Sequence, residues 1–179
     1  MGGAEASARE PTIEPLDPSK HDRGGFSCGK ALLDRFLREQ ADQERRRGVS
    51  QTYMLANGRE ILGFYSLAAT SVDLSLVPPE IGKKLPRYPV VPAILLARLA
   101  VDARFAGQGR GEHLLADALR ASFETSKKIG AAFVIVDVLD KDAAAFYAYM
   151  GFCPFQDRPQ KLFLRMIDVK AVLDASAKT

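Results

Sequence analysis

Side chains that bind metals or act as strong nucleophiles are scarce in this 179-residue chain, which holds two cysteines and two histidines. Cys28 and Cys153 lie far apart with no second pair to complete a zinc site, so no metal is expected and both read as packing residues. No histidine stands beside Cys28 to activate it, which argues against a thiol nucleophile. Long apolar runs are also missing: the longest are strand-sized, and Met1 to Pro11 lacks the apolar block of a secretion signal. A cytoplasmic protein with no membrane partner is the expectation. Met1-Gly2 does not make a myristoylation signal, because Ala6 stands where Ser or Thr is required. Strong charge is lacking too, and a net +3 is too mild to argue for nucleic acid by itself.

What is present suits one domain with a packed core. Residues 1–20 read as a loose arm ending in a strand near Thr12 to Pro15, residues 21–168 as the domain, and 169–179 as a tail. Leu32, Leu33, Phe36, Leu37 and Ala41 recur at helical spacing and predict an amphipathic surface helix from Lys30 to Arg47, stopped by Gly48. Thr52 to Ala56 and Ile61 to Ala69 predict a hairpin through a type I′ turn at Asn57-Gly58. Five prolines between Ser71 and Pro92 predict a long shaped loop with a short helix near Glu80, and exclude a central strand there. Strands at Ala93 to Val101, Phe133 to Val138 and Phe163 to Ile167 alternate with helices through Leu114 to Lys128 and Asp140 to Met150. This order gives an α/β (α+β) chain with a mixed sheet.

The most informative stretch runs from Leu99 through Gly107-Gln108-Gly109-Arg110-Gly111-Glu112, a strand ending in glycines that open directly into a helix. Such a turn lets backbone amides and the positive end of a helix face an anion. Tight turning alone would also account for the glycines. A P-loop is excluded, since Glu112 and His113 follow where Lys and Ser or Thr are needed. A Rossmann site is excluded as well, because the turn lies beyond mid-chain and no suitably spaced acid follows.

Gly109-Arg110-Gly111, together with Phe146-Tyr147 and Gly151-Phe152 on a following helix, resembles the GNAT N-acetyltransferases. Ala106 departs from the Gln or Arg that opens the family's pyrophosphate loop, and Asp140 stands where many members carry Asn. The resemblance implies a mixed, mostly antiparallel sheet of about six to seven strands flanked by about four helices. It implies acetyl-CoA as cosubstrate, with Leu99, Ala100 and Val101 beside the pantetheine arm. Gly107, Gln108, Gly109, Arg110, Gly111 and Glu112 would meet the pyrophosphate, with Asp140 and Phe146 adding contacts. Tyr147 falls on the family's general acid, whereas Tyr149, about 200° around the helix, reads as structural.

Phe26 to Lys30, Leu33 to Leu37, Gly63 to Leu67, Ala97 to Asp102 and Asp157 to Pro159 further resemble the GNAT toxins of bacterial toxin–antitoxin pairs. That resemblance implies an aminoacyl-tRNA substrate acetylated on its α-amine, a ribbon-helix-helix antitoxin and a homodimer. An α-amine needs little help to lose its proton, since its ordinary pKa is about 7.7–8.0. Lys83, Lys84, Arg87 and Arg98 lie in an acid-free stretch and Arg46 ends the first helix, so these are the RNA-contact candidates, against the simpler reading of a solvated surface. Two alternatives stand beside it: acetylation of a protein N-terminus or small amine, and a non-catalytic CoA-binding partner in a DNA-binding repressor complex.

Overall fold

Seven strands form one sheet in the order β1-β2-β3-β4-β5-β7-β6, with only β4 and β5 parallel. The computed structural model describes residues 9–178, so the myristoylation test at Met1-Gly2 and the start of the arm lie outside it. β1 (Thr12–Pro15), β2 (Gln51–Asn57), β3 (Glu60–Asp73) and β4 (Val90–Val101) make an antiparallel half. β5 (Phe133–Asp137), β7 (Arg158–Arg165) and β6 (Cys153–Phe155) make the other. The expected strand number is met.

Helices cover both faces. A first helical unit runs through α1 (Ala31–Arg35), a π-helical turn (Phe36–Gln40) and α2 (Ala41–Arg46). Its Leu33, Phe36, Leu37 and Ala41 pack on Met54, Phe64 and Ala100. On the opposite face, α4 (Arg110–Ile129), α5 (Lys141–Tyr149) and α6 (Met166–Ala177) bury Leu114, Leu119, Tyr147 and Val169 against Leu62, Tyr65 and Leu96. A single-turn helix, α3 (Pro79–Gly82), leaves four longer helical units, as expected.

Five details differ from expectation. β3 and β4 pair as far as Asp73 and Val90, with Pro92 opposite Ser71, so the proline-rich loop shrinks to Leu74–Pro89. Pro92 is tolerated there because β4 gains its second neighbour, β5, only from Ala93 onward. The β2–β3 turn has Gly58 and Arg59 at its centre, and only Gly58 has positive φ, so it is not type I′. The segment expected as a tail is α6, because Met166, Val169, Val172 and Leu173 repeat at helical spacing and pack into the core. Ile167, read as the end of a strand, is exposed on α6, and Cys153 is exposed on β6 rather than packed.

One irregularity positions the site. Leu67 pairs with Leu96 but Ser66 pairs with Arg98, leaving Ala97 as a one-residue bulge in β4. A bulge reverses which face the following side chains occupy. Leu96 accordingly joins the α4–α5 face, while Ala100 joins the α1–α2 face. Beyond the bulge β4 and β5 part: their ladder covers only Ala93–Leu96, so the β5-facing edge of β4 is unpaired from Ala97 to Val101.

Candidate active site

Gly107 and Gly109 have φ of +74° and +75°, and open space surrounds the position of a β-carbon at either. A side chain at these angles is strained, which is why the turn needs glycine. α4 begins at Arg110 with Gly109 as N-cap and no capping side chain; its first backbone bond runs from the His113 amide to the Gly109 carbonyl. Among the described residues no backbone acceptor meets the amides of Gly107, Gln108, Gly109, Arg110, Gly111 or Glu112. Arg110 Nε is buried without a partner beside them. Unclaimed donors at the positive end of a 20-residue helix form an anion site that fits a pyrophosphate. Ala106 contributes no side-chain donor, in keeping with a cradle made mainly from backbone.

The turn opens toward α5. A β-carbon on Gly111 would lie 3.8 Å from the Phe146 ring and 3.9 Å from Val101, so the end of β4, the start of α4 and Phe146 meet at Gly111. Leu99 and Val101 direct their side chains into the core while their strand edge stays unpaired, and Ala100 is buried on the other face. Asp140 is committed elsewhere: it caps α5 by accepting from the Ala143 amide at 2.8 Å and pairs with Lys30. The Lys30 bond, followed by the α5 amides, lowers its pKa.

Tyr147 stands where β4 and β5 part. Its ring packs edge-on against Phe146 and Phe152 at 5.1 and 5.4 Å, and it is 7% exposed. Burial pushes its phenol well above the ordinary value, so it stays protonated. Among the described residues its hydroxyl has no hydrogen-bond partner, although the ring is fixed. Tyr149 points to solvent, 81% exposed. Tyr147 lines a cleft of about 380 Å³ with Lys30, Phe36, Gln40, Ala97 and Arg98. Neither histidine lines it: His21 is buried against Glu14 at 2.7 Å, and His113 faces a separate hollow between α4 and α6. Burial pushes the Cys28 thiol up to about 11, which leaves it inert.

The basic candidates are not gathered together. Lys83, Lys84 and Arg87 are exposed on the Leu74–Pro89 loop, separated from Arg98 by the stretch of β4 before its bulge. Arg98 lies inside the cleft, its guanidinium 3.6 Å from the centre of the Phe36 ring. Arg46 is ion-paired to Asp42 at 3.1 Å. The sequence missed Lys30, Phe36 and Gln40 as cleft residues, since the first helix reads there only as an amphipathic surface element. The Phe26 to Lys30 and Leu33 to Leu37 matches were the available signal.

A strand with an unpaired edge, an amide cradle at a helix start and a fixed phenol in the cleft beside that strand are the parts an acyltransferase with a pyrophosphate-bearing donor requires. Comparison with known proteins agrees. The model of the acetyltransferase (GNAT) family matches residues 25–152, and the chain belongs to that family. It is therefore an N-acetyltransferase with acetyl-CoA as cosubstrate. A tRNA-acetylating toxin of Mycobacterium tuberculosis is 35% identical over 85% of this chain and 90% of its own. A structure of AtaT complexed with acetyl-methionyl-tRNAfMet is 29% identical, covering 90% of this chain and 98% of that one with a TM-score of 0.83. A tyrosine-to-phenylalanine mutant of AtaT bound to the C-terminus of the antitoxin AtaR is 26% identical, covering 92% and 98% at a TM-score of 0.78.

The turn predicts a binding effect. Gly109→Val forces a β-branched residue to a φ near +75° at a cost of about 1–2 kcal/mol, or turns the amides away from the cradle. Acetyl-CoA affinity by calorimetry is expected to fall about tenfold or more.

Proposed function

We propose that this enzyme transfers the acetyl group of acetyl-CoA to the α-amine of an aminoacyl-tRNA, blocking translation as the toxin of a toxin–antitoxin pair. The observation that carries the chemistry is Tyr147: a rigid, protonated phenol with an unclaimed hydroxyl in the cleft. The similarity to a tRNA-acetylating toxin supports the acceptor. In this reading the neutral α-amine attacks the thioester carbonyl, the C–S bond breaks and Tyr147 donates its proton to the departing sulfur, while the nitrogen releases its extra proton to solvent and the phenolate takes one back. Leu99 to Val101 hold the pantetheine arm along their free strand edge, and the amides from Gly107 to Glu112, with Arg110, hold the pyrophosphate. Phe146 closes the donor space, and Asp140 acts by fixing the start of α5. Lys83, Lys84, Arg87, Arg98 and Arg46 supply phosphate contacts, which predicts binding that weakens with salt.

No histidine is needed as base in this cleft. The acceptor sets the pH dependence: an amine is reactive only when neutral, and its ester linkage lowers its pKa below the free range of about 7.7–8.0. Below that pKa, kcat/KM is expected to rise about tenfold per pH unit and then level off. The rising limb should move when the acceptor is changed to an amine of different pKa. A limb that stays fixed would assign the titration to a protein base and contradict this account.

No described helix is long and apolar enough to cross a membrane; the proposed site of action is the cytoplasm, where charged tRNA is found. A ribbon-helix-helix antitoxin and a homodimeric enzyme complete the proposal. Co-expression with its antitoxin, followed by light scattering of the purified toxin, tests both.

A further inference from the structure

Three cations line the cleft, and they differ in how they are neutralised. Lys30 pairs with Asp140, and Arg35 Nε donates to Glu39 at 2.9 Å. The Arg98 guanidinium makes no hydrogen bond among the described residues. Its nearest carboxylate oxygen, on Glu44, is 3.6 Å away and already accepts from the Ser50 hydroxyl at 2.6 Å. Phe36 covers one face of the guanidinium and holds it flat, so that one edge faces Glu44 in a long ion pair and the other N–H groups have no acceptor among the described residues. Phe36 and Gln40 begin and end the π-helical turn, a departure from regular helix that often accompanies functional sites, and both line the cleft. Ser66, the cross-strand partner of Arg98, and Thr52 beyond it are wholly buried with hydroxyls that meet no protein group. These hydroxyls lie beneath Arg98 in the sheet and do not line the cleft.

We propose that Arg98, held on Phe36 and flanked by Gln40, is the phosphodiester subsite of the acceptor. It binds the phosphate on the 5′ side of the terminal nucleotide that carries the aminoacyl ester. A planar fork with free donors is the side chain best matched to a phosphate. Arg98 and Tyr147 share one cleft, so a phosphate at the first places an amine one nucleotide away at the second. The inference rests on the aminoacyl-tRNA reading and adds how that substrate is held in register. Arg98 is here a positioning residue, separate from the exposed lysines of the Leu74–Pro89 loop, which serve only general attraction to RNA.

The test compares two small acceptors, an aminoacyl-adenosine and the same compound with a 5′-phosphate. For the wild-type enzyme the phosphorylated acceptor is expected to have a kcat/KM about 10- to 100-fold higher, the range of one charge-assisted contact. In Arg98→Gln that ratio should fall to near one, and Arg98→Lys should restore part of it by charge alone. Equal use of both acceptors by the wild type overturns the proposal without relying on any variant, as does an undiminished ratio in Arg98→Gln. Intact aminoacyl-tRNA is assayed in parallel with the wild type. Its acetylation together with a ratio near one defeats the Arg98 subsite alone, whereas no acetylation of it defeats the aminoacyl-tRNA reading and the subsite with it.

Discussion

Replacing Tyr147 with phenylalanine is expected to lower kcat by about a hundredfold to ten-thousandfold while acetyl-CoA binding is retained. The substitution removes one oxygen and nothing else the fold depends on. The ring keeps its edge contacts with Phe146 and Phe152, and the hydroxyl surrenders no protein hydrogen bond. A core tyrosine with no chemical role would therefore lose neither stability nor rate. Stopped-flow acetyl transfer, with acetyl-CoA affinity measured separately, distinguishes the two outcomes. Because burial raises the phenol's pKa, Tyr147 stays protonated across the neutral range, and its titration should add no falling limb below about pH 9. Retained turnover in Tyr147→Phe would remove it as the proton donor.

The second large effect is on stability. Asp102 is 2% exposed and joins the end of β4 to the segment leading into α1. One of its oxygens accepts from the Ser27 amide at 3.1 Å, and the other from the Arg104 amide and Nε at 2.9 and 3.0 Å. Ser27 and Cys28 are tied in turn to Asp34 by bonds of 3.0 and 2.8 Å. Two carboxylates thus fix the residues before Lys30 at the edge of the cleft. Asp102→Ala leaves the Ser27 and Arg104 amides without their acceptor and opens a gap where the buried carboxylate sat, and is expected to cost about 3 kcal/mol, a fall in Tm of about 6–12 °C. The sign of the pH dependence follows from the carboxyl. Burial pushes its pKa up, but the bonds from Arg104 and then Ser27 outweigh this and hold it below the ordinary value. Its stabilisation is therefore present above about pH 4 and is lost as pH falls through the depressed folded value. Melting curves should show the wild type and Asp102→Ala far apart at pH 7 and converging in acid. A constant gap would contradict this role.

Much of this site is written in local sequence. Alternate glycines before an apolar-periodic helix need positive φ and free amides, and the structure has both at Gly107 and Gly109. Phe146-Tyr147 and Gly151-Phe152 likewise encode a helix, its stop and a phenol in one short stretch. What escaped the sequence depends on residues distant along the chain. Ala97 looks like any small strand residue, and only its lack of a partner between Ser66 and Leu67 makes it the bulge that opens the sheet. Arg98 reads as a surface base until the bulge turns it over Phe36. Asp102 reads as the end of a strand, while its partner Ser27 lies 75 residues away. Pro92 and α6 escape for another reason: neither a proline's missing N–H nor local β-propensity carries information on which strand edge is free or which face Val169 and Leu173 meet.

The central claim is tested most directly by incubating the purified protein with acetyl-CoA and a pool of charged tRNAs, then digesting the RNA and identifying the acetylated product by mass spectrometry. Acetyl groups on the α-amine of aminoacyl-adenosine, absent with Tyr147→Phe, are the expected result. Charged tRNAs left unmodified while peptides or small amines are acetylated would contradict it.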